Sequence, residues 1–195
     1  HGVTEEVTGV DLVEWMVRLA ADELADLESF TIKPKGAAIQ VRLYAEDPNK
    51  NFQPSAGLLT AVNFPDRSKL PSSPRKRGSR DLSAAEAKTL DSRVRGNDGG
   101  FANRGATAIR VDSWVESGTV VPPNYDPMLA KLIAHGPNRE AARKKLIAAL
   151  EASEVAGIET NRAYLAQVLA YPDFIAGKQT TRMLGGFHYQ PSTVD

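Results

Sequence analysis

Arg110 stands on the polar side of an alternating stretch. Ile109, Val111, Ser113 and Val115 fall on one face, and Arg110, Asp112 and Trp114 on the other. Period-two alternation with β-branched residues predicts a half-buried strand. A guanidinium fixed on its polar face is available to an anion, although one such residue suits a plain surface role better than a catalytic one. Other chemistry has less support. Glu46 and Asp47 form a carboxylate pair, but Pro48 follows directly, and a turn role fits better than acid–base work. His1, His135 and His188 are too far apart for metal-ligand spacing. No GxxxxGK or GxGxxG loop is present to cradle a phosphate, and no Gly-x-Ser-x-Gly elbow to raise a nucleophile. The absence of Cys excludes disulfides, thiol catalysis and Cys-based zinc sites, and fits a cytoplasmic setting.

These residues must be positioned by a small fold. At 195 residues, 42% apolar and 25% charged, the chain has room for one soluble domain and perhaps a fragment of another. No apolar run is long enough to span a bilayer. The chain opens at His1 with no leader-like stretch and reads as a piece of something longer. After a polar lead-in over residues 1–8, apolar positions Leu12, Val13, Met16, Val17, Leu19 and Ala20 predict an amphipathic helix from Gly9 to about Glu23, capped by Thr8. Alternation predicts a strand over Ala37–Glu46, with Ile39, Val41, Leu43 and Ala45 inward, and a further strand over Leu58–Phe64. Met128–His135 reads as a buried strand, although its apolar run also suits a helix. A helix from Arg139 to about Ser153 follows, capped by Asn138, with Ala142, Leu146, Ala149 and Leu150 inward. Its Arg139, Arg143, Lys144 and Lys145 read as a solvated face. A short strand over Val155–Ile158, a helix over Asn161–Ala170 and a weakly ordered tail from Gly185 complete the chain. Turn-linked strands make this an α+β domain with an antiparallel sheet and two C-terminal helices.

Residues 66–105 break the pattern. Positions 67–104 hold ten Lys or Arg against four Asp or Glu, so of the 24 and 24 in the chain the remainder keeps 14 basic and 20 acidic. The block is read as a disordered basic insertion, with a short helix conceivable at Leu82–Leu90. Its Arg cluster lacks interleaved aromatics, which argues against nucleic acid as a partner. Ser-Pro-Arg-Lys-Arg-Gly-Ser and Leu-Asp-Ser-Arg-Val-Arg-Gly-Asn-Asp resemble translated halves of a bacterial palindromic repeat.

Specific words carry more than these periodicities. His-Gly-Val-Thr-Glu-Glu-Val-Thr-Gly-Val-Asp-Leu-Val-Glu (1–14), Tyr-Ala-Glu-Asp-Pro (44–48), Asn-Phe-Gln-Pro-Ser-Ala-Gly (51–57), Tyr-Asp-Pro-Met-Leu-Ala-Lys-Leu-Ile (125–133), Gly-Ile-Glu-Thr-Asn (157–161) and Thr-Arg-Met-Leu (181–184) occur in fixed order. Together they resemble the C-terminal part of a biotin carboxylase, the ATP-grasp component of biotin-dependent carboxylases, over residues 1–65 and 106–195. Trp15-Met16, Ile39-Gln40-Val41-Arg42 and the tail Gly186-Phe187-His188-Tyr189-Gln190-Pro191 look closest to the urea carboxylase branch.

The resemblance implies a division of the chain. Residues 1–33 would be the end of an ATP-grasp domain, 34–65 and 106–185 the biotin carboxylase C-terminal domain, 66–105 the insertion, and 186–195 a tail or linker. It also implies a ligase reaction in which ATP with Mg2+ activates bicarbonate, which then carboxylates biotin for transfer to urea. Most of that machinery, including the residues that hold ATP and Mg2+, would lie before His1. Arg110 falls on the family's catalytic arginine, which meets bicarbonate and biotin; Asp126 and Lys131 match a family word and are assigned structural roles. The expected partners are the N-terminal ATP-grasp half, the biotin carboxyl carrier and carboxyltransferase domains, and a second copy in a homodimer. The chain would be inactive alone. The rival readings are a non-catalytic subunit-docking module, built on the helices 139–153 and 161–170, and a decayed gene fragment.

Overall fold

The computed structural model describes residues 1–24, 30–65 and 109–191. The block 66–105, expected to be a disordered basic insertion, and the conceivable helix at Leu82–Leu90 within it lie outside the described residues. In chain order the elements are α1 (Gly2–Thr8), α2 (Leu12–Ala20), β1 (Ala37–Tyr44), β2 (Glu46–Asp47), β3 (Gln53–Pro54), β4 (Gly57–Leu58) and β5 (Ala61–Asn63). Then come β6 (Arg110–Ser113), β7 (Val120–Val121), β8 (Met128–Gly136), α3 (Arg139–Ala152), β9 (Glu154–Ala156), α4 (Arg162–Ala170) and α5 (Pro172–Ile175).

β8 is the centre of an antiparallel sheet of order β1-β8-β6. Its register sets Val41 and Val111 on either side of Leu132, and Gln40 and Arg110 on either side of Ile133. Strand periodicity then separates two faces. Ile39, Val41, Leu43, Ala130, Leu132 and Ala134 point to one side and pack with Ala142, Leu146, Ala149 and Leu150 of α3. The other side carries Gln40, Arg110, Asp112, Lys131 and Ile133, and α1 lies across part of it. Gly2 sits directly over Ile133, where a Cβ would collide with the Ile133 Cδ1, and Ile133 is buried. Burial of Leu129 and Ile133 on the second face explains why β8 reads as a mainly apolar run, broken at Lys131. A smaller cluster of Ala45, Leu59, Val115, Val121 and Leu129 fills the space under β4 and β7.

Several expectations are corrected. The lead-in over residues 1–8 is helical, and α1 ends at Gly9, whose φ of 74° is the left-handed conformation that glycine adopts readily. The next helix therefore starts later than expected. Asp11 is its cap, accepting from the Glu14 amide at 2.9 Å, while the Thr8 hydroxyl donates to Thr4 O. The strand predicted over Leu58–Phe64 is two strands, because the chain changes partner: β4 pairs with β7 and β5 with β9. At Gly157 (φ 102°) a Cβ would run into Leu58 O, so the crossing of these strands requires glycine.

The basic residues of α3 are not a solvated face. Arg143 is buried, donating to Leu169 O at 3.0 Å and forking onto Glu140. Lys145 donates to His135 O, and Arg139 donates to Phe174 O while stacking on the Phe174 ring. Only Lys144 points outward, at 71% side-chain exposure. The reason is that α4 and α5 pack over α3, so its basic stems lie in an interface and their heads reach backbone carbonyls. Nor is the tail loose through Gln190. Phe187 packs edge-on against Tyr164 and Tyr171, and Gln190 exchanges hydrogen bonds with the Gln167 side chain.

The Arg143 fork holds the Glu140 carboxyl down at about 2, against the weaker opposing pull of desolvation. A carboxylate whose value is depressed by folding contributes stability above its ordinary value of 4.5, and loses it as pH falls toward 2. Glu140→Gln should accordingly lower the urea midpoint at pH 7, with the gap to wild type closing between pH 4.5 and 2. Parallel midpoint curves over that range would exclude the assignment.

Candidate functional site

Arg110 occupies the second face of the sheet, beside α1. Its Nη1 donates to Glu5 Oε2 at 2.5 Å and its Nε to Asp112 Oδ1 at 2.9 Å, with Glu6 Oε1 at 3.8 Å. Glu5 is buried at 6% exposure, whereas the Asp112 side chain is 41% exposed. Partial desolvation alone would favour the neutral guanidine, but hydrogen bonds and charge from Asp112 and Glu5 outweigh it and raise the Arg110 value further. The residue is a permanent cation. Two of its donor positions are taken, and Nη2 makes no hydrogen bond among the described residues. Arg110 keeps 21% of its side-chain surface in contact with solvent.

The adjacent row of the same face pairs Asp112 with Lys131 and Lys131 with Arg42. Arg110, Lys131 and Arg42 therefore share this face with three carboxylates, Asp112 on the strand and Glu5 and Glu6 from α1. Such an arrangement can bind a small anion through a preoriented guanidinium edge. Asp126 lies elsewhere, its Oδ1 accepting from the Met128 amide at 2.9 Å to shape the turn into β8. Asp47 also serves a turn, accepting from the Asn49 amide with Lys50 at 3.2 Å. The Asn49 hydrogen bond is the main cause of its lowered pKa, while burial and then the charge of Asp126 raise that of Glu46. Among the described residues no group of three or more His, Asp or Glu is placed to hold a metal ion. None of their helices is long and apolar enough to cross a membrane.

Glu5 was not singled out from the sequence, where it is one of two glutamates in a polar word. Asn161 was likewise seen only as the start of a helix. Its side chain instead bridges to β1, accepting from the Tyr44 amide at 2.9 Å and donating to Arg42 O at 3.3 Å. It thereby repairs the register shift between Leu43 and Tyr44. Side-chain satisfaction of a strand irregularity leaves no periodic trace, so only the word Gly-Ile-Glu-Thr-Asn pointed to it.

The antiparallel sheet β1-β8-β6 is thus backed by α3 and α4 on one side and carries Arg110 on the other. Residues 95–186 match the family described as the Biotin carboxylase C-terminal domain, and this part of the chain belongs to that family. Within it, the chain is 37% identical over its whole length to the urea amidolyase of Saccharomyces cerevisiae, of which it spans 8%. It superposes on the crystal structure of the Kluyveromyces lactis urea carboxylase with a TM-score of 0.75, at 38% identity, covering 98% of this chain and 13% of that one. It is also similar to the biotin carboxylase domain of a thermophilic 2-oxoglutarate carboxylase bound to bicarbonate. There the TM-score is 0.68 and the identity 30%, over 95% of this chain and 33% of that one.

Proposed function

We propose that this chain is the C-terminal part of an ATP-dependent biotin carboxylase of the urea carboxylase type, and that it supplies Arg110 to the carboxylation site. The observation that carries the reading is the clamped guanidinium of Arg110, whose Nε and Nη1 are taken by Asp112 and Glu5 while Nη2 is hydrogen-bonded to neither. Bicarbonate and the ureido oxygen of biotin are both small acceptors that such an edge can meet, and a fixed cation there stabilises negative charge that develops between them. When bound, biotin on its carrier domain supplies the nitrogen that takes up the carboxyl group. Arg110 holds the anion beside it, with Lys131 and Arg42 adding positive charge on the same face against the carboxylates of Glu5, Glu6 and Asp112.

The resemblance assigns ATP and Mg2+ to an ATP-grasp half, and the described residues carry no cluster of three or more His, Asp or Glu that would argue for a metal here instead. α2 supports that division. It is amphipathic, yet none of its residues is buried, and Val13 and Met16 are 66% and 70% exposed. Val17 and Leu19 extend the same apolar surface, while Trp15 packs on Phe30 at 4.7 Å between ring centroids. Covering such side chains is worth about 1.5–3 kcal/mol each, and the ATP-grasp half is the element that would cover them. Carrier and carboxyltransferase domains then complete the transfer to urea.

The purified chain should release no ADP when given ATP, bicarbonate and biotin. Adding the separately purified ATP-grasp half of a urea carboxylase should produce a complex and bicarbonate-dependent ADP release. Robust bicarbonate-dependent release from the chain alone would overturn the reading, as would failure of the two parts to associate at micromolar concentration.

A further inference from the structure

Arg110 is held unequally by its partners. Asp112 lies two residues along the same strand and is largely exposed, so its bond to Nε is local and water-competed. Glu5 comes from a different element, 105 residues away in sequence, and its carboxylate is buried between α1 and the sheet. Both of its oxygens are used: Oε2 accepts from Arg110 Nη1, and Oε1 accepts from the Leu12 amide at 3.2 Å. The Glu5 backbone carbonyl also accepts from the Gly9 amide, closing α1 at 2.8 Å. Glu5 thus joins three things: the end of α1, the first turn of α2, and one edge of the guanidinium. Glu6 lies too far from Arg110 Nη1 to hydrogen-bond it, at 3.8 Å, and its charge also acts on Lys145.

We infer that Glu5 is a positioning residue for Arg110, fixing the rotation of the guanidinium so that its Nη2 edge is presented to the anion. A planar guanidinium anchored at both Nε and Nη1 has its plane and its free edge determined; anchored at Nε alone, it can turn about its last side-chain bonds. A buried carboxylate with both oxygens committed has no alternative geometry, unlike the exposed Asp112. The consequence for anion binding rests on the role of Arg110 proposed above, but the immobilisation of the guanidinium does not.

The test separates the two. In the 195-residue chain, the guanidinium N–H signals of Arg110, identified by their loss in Arg110→Lys, should be resolved and slow to interconvert. Glu5→Gln should merge them, and Glu6→Gln should leave them resolved. If Glu5→Gln fails to fold, Glu5→Asp serves instead, since it keeps the charge but withdraws the carboxylate by one methylene and should also merge the signals. Resolved Arg110 signals in a folded Glu5 variant would overturn the inference. In the complex with the ATP-grasp half, Glu5→Gln should raise the KM for bicarbonate about tenfold or more, with the KM for ATP unmoved. An equal change in both would also overturn it, because a merely structural loss has no reason to favour bicarbonate. A wild-type complex without carboxylation would count against the role of Arg110 while leaving the spectroscopic result to decide the role of Glu5.

Discussion

Arg110→Ala is expected to lower carboxylation of biotin by the chain and its ATP-grasp half about 10²–10³-fold, the usual loss when a preoriented donor to developing negative charge is removed. The deficit should appear in kcat with bicarbonate saturating, since the charge that Arg110 meets grows along the reaction, and binding of ATP should be unchanged. Arg110→Lys should recover little of it. An ammonium is a point charge without a second edge, so a lysine drawn to Glu5 has no directed donor left for the anion. The alanine variant also leaves the buried Glu5 carboxylate without Arg110, which costs about 1–3 kcal/mol of stability. Rates must therefore be compared well below the unfolding temperature of both proteins, with far-ultraviolet circular dichroism as the check. Full activity in a folded Arg110→Ala complex would remove Arg110 from the reaction.

How much of this was legible depended on whether a residue's neighbour was near in sequence. The inward face of β1 could be read directly, because alternation alone selects Ile39, Val41, Leu43 and Ala45, and all four are buried. The inner face of α3 and its Asn138 cap were equally plain. β8 was ambiguous between strand and helix because both its faces are covered, and the arbiter is its pairing with β1 and β6. α1 had no local signal at all. Gly, Val and Thr are poor helix formers, and the helix is held by Gly2 on Ile133 and Glu5 on Arg110. The apolar stripe of α2 was visible, but that it lies uncovered was not. Arg110 could be placed on a polar strand face from periodicity. The carboxylate that aims it could not, since the sequence contains many glutamates and no local rule selects Glu5.

Leu132→Ala should lower the free energy of unfolding by about 3–5 kcal/mol, the range for truncating a fully enclosed leucine whose surroundings cannot collapse. Leu132 has no exposed surface, lies between Val41 and Val111 in the sheet, and belongs to the cluster that includes Leu146 and Leu150 of α3. Strands on both sides and a helix above leave little freedom for relaxation, which places the expectation toward the upper end. Urea unfolding should show a fall in midpoint with unchanged slope, as for a loss of stability without a change in exposed area. Leu132→Met, which nearly conserves volume, should cost less than about 1.5 kcal/mol. The next residue along the strand, Ile133, points the other way, under Gly2 and beside Arg110 in register. The core that Leu132 fills and the face that carries Arg110 are therefore two sides of one strand. If that coupling holds, Leu132→Ala should loosen the Arg110 guanidinium signals before the sheet unfolds. Leu129→Ala, placed in the separate cluster under β4 and β7, should be destabilised without touching them.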